Sequence, residues 1–137
     1  MPQGAWCDLV SVNVNGNVQL QQSSGVRLAN VKVKGNFEAN NASGASDAMS
    51  SGFNVICNSS IGGNLQIHNS SSSSPWRLGT CGPNTVGGNL QFQNNAGSGN
   101  SISHTSVKGN LQCQNNADVS GGDNTVDGNR QGQCASL

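Results

Sequence analysis

Few side chains in this sequence can do acid–base or metal chemistry: the carboxylates of Asp8, Glu38, Asp47, Asp118, Asp123 and Asp127, the imidazoles of His68 and His104, and five cysteines. Glycosidases need two acids on one face, one to donate a proton and one to act as base or nucleophile. Asp118, Asp123 and Asp127 do crowd around Gly121-Gly122, but turn formation by aspartate side chains explains that grouping without catalysis. A lyase would set a basic residue beside an acid-held calcium, and Lys32 and Lys34 have no acid cluster next to them. His104 lies between Ser103 and Thr105 with no G-x-S-x-G around it. No C-x-x-C pair exists and the two histidines stand in unrelated contexts, so no metal site is expected. The expectation is a non-enzymatic chain without a cofactor, with a polysaccharide-degrading β-helix enzyme as one alternative.

The elements that position any such group must be built from an unusual composition. Only 9% of the 137 residues are charged and the net charge is zero, against about 25% charged residues in an ordinary domain. Six cations form no basic stripe, which excludes nucleic acid as a partner. No apolar run approaches the roughly 18 residues of a membrane-spanning helix, so no membrane insertion is expected. No signal peptide is visible at Met1, so the expectation is either a mature form or a chain whose leader has been replaced. Gly, Ser, Asn and Gln make up about half of the sequence. Such a chain is either disordered or a fold that holds every apolar residue in register, and internal repetition separates the two.

A Gly-Asn pair recurs at Gly16, Gly35, Gly63, Gly88, Gly109 and Gly128. Two residues before each glycine stand Val14, Val33, Ile61, Val86, Val107 and Val126. Two after it come Val18, Phe37, Leu65, Leu90, Leu111 and Arg130, and four after it Leu20, Ala39, Ile67, Phe92, Cys113 and Gly132. Between those two columns runs Gln19, Glu38, Gln66, Gln91, Gln112 and Gln131. This alternation is the period of a strand with one buried face. A further column about seven residues before the glycine reads Leu9, Leu28, Cys81 and Ile102, with Cys57 one place out of register. A single unit of this kind cannot bury its own inner face, but stacked units can. The prediction is an all-β fold over residues 1–137: one parallel β-helix (β-solenoid) of about six right-handed rungs, with two or three short strands in each.

The glycine suits a bend with positive φ or a close backbone approach. Six residues after it stand Gln22, Asn41, Asn69, Asn94, Asn115 and Cys134, which predicts an asparagine ladder from rung to rung. Extra residues fall at 41–52 and 69–77, two insertions expected to leave from the same corner of neighbouring rungs. Arg130 and Gly132 break the inward pattern and predict a polar cap near 128–137, while Trp6 is placed to cover the first rung.

Cys113 and Cys134 are 21 residues apart and Cys57 and Cys81 are 24 apart, in each case about one rung. Stacked positions lie close enough for a disulfide, so both pairs are predicted, and Cys7 is left without a partner. Five cysteines in 137 residues suit an oxidising compartment. The segment Gly109 to Cys113, with Gly121-Gly122, Gly128-Asn129 and Gln133-Cys134, resembles the tail of small secreted actinobacterial proteins. That resemblance implies secretion and the Cys113–Cys134 pairing, and brings no activity. More distantly, the stacked rungs look like those of bactofilins, which polymerise end to end.

The function expected is a structural or surface role with an extracellular polysaccharide as partner, and Trp76, Arg77, Asp47 and Asn69 are the candidate ligand residues. Self-association through the solenoid ends or through Cys7 is a second possible partnership. Ice binding is the other alternative, from a partial hydroxyl column of Asn13, Lys32, Ser60, Thr85, Ser106 and Thr125.

Overall fold

The computed structural model describes residues 1–43, 52–71 and 75–137. Among them are eighteen short strands and no helix. The first sheet, A, takes one strand from each coil: β1 (Trp6–Val10), β4 (Gly25–Ala29), β7 (Asn54–Cys57), β10 (Trp76–Leu78), β13 (Ser101–Ser103) and β16 (Ser120–Gly122). Sheet B takes β2 (Asn13–Val14), β5 (Lys32–Val33), β8 (Ser60–Ile61), β11 (Asn84–Val86), β14 (Thr105–Val107) and β17 (Thr125–Val126). Sheet C takes β3 (Val18–Leu20), β6 (Phe37–Asn40), β9 (Leu65–His68), β12 (Leu90–Gln93), β15 (Leu111–Gln114) and β18 (Arg130–Gly132). Every pairing is parallel and joins neighbouring coils, which makes a β-solenoid of six turns.

The register follows the columns read from the sequence. Val14 pairs with Val33, Val33 with Ile61, Ile61 with Val86, and so on to Val126. In sheet C, Leu65, Leu90 and Leu111 are stacked and fully buried, as are Ile67, Phe92 and Cys113. Alternation works because successive strand side chains point to opposite faces: in β12, Leu90 and Phe92 turn inward while Gln91 and Gln93 face out.

One column needs correction. Ile56 and Leu78, not Cys57 and Cys81, continue the row of Leu9 and Leu28 in sheet A. Leu78 stands ten residues before Gly88, whereas Leu28 stands seven before Gly35. The extra length of the fourth coil is thus split between two corners. The second insertion ends before Trp76, the first residue of β10, and does not reach position 77. Both insertions do leave sheet C at the same corner, where the Asn41 N–H donates to the His68 carbonyl and the Asn69 N–H to that of Gln93. Residues 44–51 and 72–74 lie outside the described residues.

The predicted amide ladder also moves, by five positions toward the glycine. Asn41, Asn69, Asn94 and Asn115 adopt left-handed backbone, with φ between 52° and 57°, and no side-chain bond joins one to the next. The continuous chain is made by the asparagines that directly follow the glycines. Oδ1 of Asn17, Asn36, Asn64, Asn89 and Asn110 each accepts the backbone N–H of the asparagine one coil further on, at 2.8 Å every time. The glycine makes room for this bond. A methyl group added to Gly35, Gly63, Gly88, Gly109 or Gly128 would collide with the carboxamide of the preceding coil. None of these five glycines has positive φ, so close approach, not backbone handedness, fixes their identity.

The other corners repeat the device with buried side chains. Oδ1 of Asn84 accepts from Ser59 N–H, and its Nδ2 donates to the Ile56 carbonyl. Asn124 does the same for Thr105 and Ile102, and Asn95 for Ser70 and Ile67. At the end of the stack Cys134 is buried, Leu137 packs on the core, and exposed Arg130 donates to the Asn124 carbonyl.

The glycine column supports a paired prediction. Gly88→Ala should lower stability by about 1–3 kcal/mol through overpacking, because the new methyl displaces the Asn64 carboxamide. Gly16→Ala should be neutral or nearly so, since nothing lies within 4 Å of its added carbon. Denaturant unfolding measures both, and equal losses would refute the account.

Candidate functional site

The solenoid presents three outer faces, each with its own chemistry. On sheet C the outward column is a chain of amides. Nε2 of Gln66 donates to Gln91 Oε1 at 2.6 Å, Gln91 to Gln112 at 3.1 Å, and Gln112 to Gln131 at 2.9 Å. Gln19 donates likewise to Glu38 Oε2 at 3.1 Å. A carboxylate has no proton to pass on, so the chain stops at Glu38 and begins again at Gln66. Two residues further along the strands a second outward row holds Asn40, His68, Gln93 and Gln114 in register. Desolvation lowers the His68 pKa below its usual value, against the pull of the Glu38 charge, so this imidazole stays neutral beside the amides.

Sheet B carries the hydroxyl column in the order expected: Ser60, Thr85, Ser106 and Thr125 are stacked, with Asn13 and Lys32 ahead of them. Beyond its inward valines, the next position outward holds Asn15, Lys34, Gly62, Gly87, Lys108 and Asp127, of which Lys108 and Asp127 pair at 3.1 Å.

Sheet A is the most mixed face. Arg27 pairs with Asp8 at 2.9 Å, Val55 follows Arg27 in register, and Arg77 follows Val55. The Arg77 guanidinium lies 3.4 Å from the centroid of the Phe53 ring, a cation–π contact. Phe53 was not singled out in the sequence, and its place beside the register of Arg77 is the signal that would have found it.

The three candidate ligand residues among the described ones, Trp76, Arg77 and Asn69, do not form one site. Trp76 is fully buried, donates Nε1–H to Ser70 Oγ at 2.9 Å and meets Phe37 edge to face at 6.2 Å. Its candidate role in stacking on a sugar is therefore corrected: strand alternation aims the ring at the core. Arg77, its neighbour in β10, points the other way and is exposed. Asn69 sits at the corner after sheet C and donates to Asn40 Oδ1. Asp47 lies outside the described residues.

The acids of the last coil are engaged separately. Asp118 accepts the backbone N–H groups of Gly99 and Asn100, Asp123 lies 3.5 Å from His104, and Asp127 pairs with Lys108. Among the described residues no three of His, Cys, Asp and Glu converge as a metal cage would require. Both predicted disulfides are present, with Cα–Cα distances of 5.5 Å for Cys57–Cys81 and 5.3 Å for Cys113–Cys134. Cys7 is free and half-buried at the start of sheet A. Two disulfides are consistent with an extracellular protein.

Trp76→Ala should cost about 3–5 kcal/mol of stability, the range for deleting a buried aromatic ring. Loss of only a few tenths in a denaturant titration would mean that the ring is not in the core. Comparison of the chain with protein-family profiles, curated proteins and solved structures gave no match.

Proposed function

We propose that this chain is a secreted, non-enzymatic module that binds neutral polysaccharide along the amide face of sheet C, in a surface or matrix role. The supporting observation is the hydrogen-bonded glutamine column with the second polar row beside it. A primary amide has two N–H donors and two acceptor positions. Each internal glutamine spends one of each on its neighbours and keeps the rest for solvent or a ligand. These groups repeat at about 4.8 Å along the column and about 6.6–7 Å across it. A polymer of hydroxyl-bearing rings offers the matching periodic donors and acceptors. Because the amides already hold one another, little side-chain entropy is lost on binding. The separate engagement of the last coil's acids supports a binding role over hydrolysis.

The test is retention on insoluble neutral glycans such as cellulose and chitin. We expect retention of the native chain, and at least a tenfold loss in the triple variant Gln66→Ala, Gln91→Ala, Gln112→Ala, with the fold checked by circular dichroism. No retention, or equal retention by both proteins, removes the reading.

Ice binding has one observation in its favour, the registered hydroxyl row of Ser60, Thr85, Ser106 and Thr125. That row has no parallel partner, since the next outward column holds lysines, glycines and an aspartate. We expect no thermal hysteresis at millimolar protein. Hysteresis abolished by Thr85→Lys would replace the polysaccharide reading.

A further inference from the structure

The six cations of the chain are not equivalent. Arg27 is held by Asp8, Lys108 by Asp127, Arg77 lies over Phe53, and Arg130 donates to the Asn124 carbonyl. Among the described residues only Lys32 and Lys34 have no carboxylate, carbonyl or ring partner. Both are exposed, on the outer face of sheet B in the second coil, two residues apart around buried Val33. Two side chains so placed project from the same face with their α-carbons about 6.6–7 Å apart.

The surface around them is a lined groove. A hollow of about 270 Å³ is bounded by Asn13, Val14, Asn15 and the two lysines. Lys32 also borders a second hollow of about 390 Å³, whose polar rim includes Ser11, Asn13, Asn30, Asn58 and Ser60. The lysines thus stand in a run of carboxamides and hydroxyls that crosses the first three coils.

We infer that this groove binds acidic polysaccharide, with Lys32 and Lys34 taking carboxylates of successive or alternate sugar residues and the flanking Asn and Ser side chains taking ring hydroxyls. Exposed ammonium groups are worth little singly in water. A repeating polyanion engages both at once, whereas a free small anion does not gain from the second lysine. The amide and hydroxyl side chains bordering both hollows favour a sugar polymer, and the apolar side chains there are small, Val14 and Val31 with exposed Val12 nearby, with no aromatic ring or leucine to enter an acyl boundary. The site is on a different sheet from the amide face and does not depend on it.

Affinity electrophoresis through gels containing polygalacturonate tests this. The native chain should be retarded, and the double variant Lys32→Gln, Lys34→Gln should lose at least tenfold in affinity. Raising salt from 0.05 to 0.5 M should weaken native binding by about tenfold or more, as expected for release of counterions at two contacts. The glutamine triple variant of sheet C should still bind polygalacturonate, which separates failure of this site from failure of the amide face. Equal migration of the native and double-variant chains overturns the inference. So does saturation by millimolar sulfate or galacturonate monomer as tight as by the polymer, or capture by phosphatidylserine vesicles with no retardation by the polymer.

Discussion

The structure depends on one short bond: the asparagine carboxamide of one coil, lodged against the glycine of the next, accepts a backbone N–H at 2.8 Å. Parallel strands two to five residues long supply few ladder bonds, and the chain bends three times in each coil. Backbone donors at those bends need acceptors that the sheets do not provide, and at the buried corners, where Asn84, Asn95 and Asn124 supply them, an unmet donor would cost about 1–3 kcal/mol. Repetition of the bond fixes the vertical spacing and azimuth of each coil against the last. Correct register in all three sheets then follows, because a slip of one residue would turn every apolar side chain outward.

The same constraint explains the composition. Among the described residues ten polar side chains are buried, nearly all Asn and Ser, and those at the corners bond to the backbone of neighbouring coils. Low charge follows because a corner turned inward admits an amide or hydroxyl but not an unpaired ion. A sequence rich in Gly, Ser, Asn and Gln, which in most chains signals disorder, here supplies the acceptors without which the apolar columns would have no fixed positions.

Much of this was legible in the sequence, because the Gly-Asn pair acts as a ruler. Measured from it, the columns of Val14, Val18, Gln19 and Leu20 fell into place, and so did both disulfides. The ruler was less reliable before the glycine in the fourth coil, where spacing reports total extra length but not how two corners share it; hence Cys81 stood where Leu78 belongs. The ladder was placed five residues late because asparagine suits two different tasks. It tolerates left-handed backbone, as at Asn69 and Asn94, and it accepts hydrogen bonds, as at Asn64 and Asn89. Trp76 read as a loop residue because a serine run and Pro75 precede it, although its separation from Leu78 equals that of Asn54 from Ile56 and marks it as inward-facing. The two lysines were read as lacking an acid cluster, and Lys32 as one place in the partial hydroxyl column. That their neighbours are amides and hydroxyls follows from stacking three coils.

The glutamine chain on sheet C has a direction. Every Nε2 points toward the C-terminal coil, so Gln66 presents an acceptor at one end and Gln131 a donor at the other. The side-chain dipoles therefore add instead of cancelling, and the two ways of laying an asymmetric polymer along the column are energetically distinct. A strand of sugars bound there as we propose, whose reducing and non-reducing termini differ, would be held in one polarity, and the column would then act as a vectorial template.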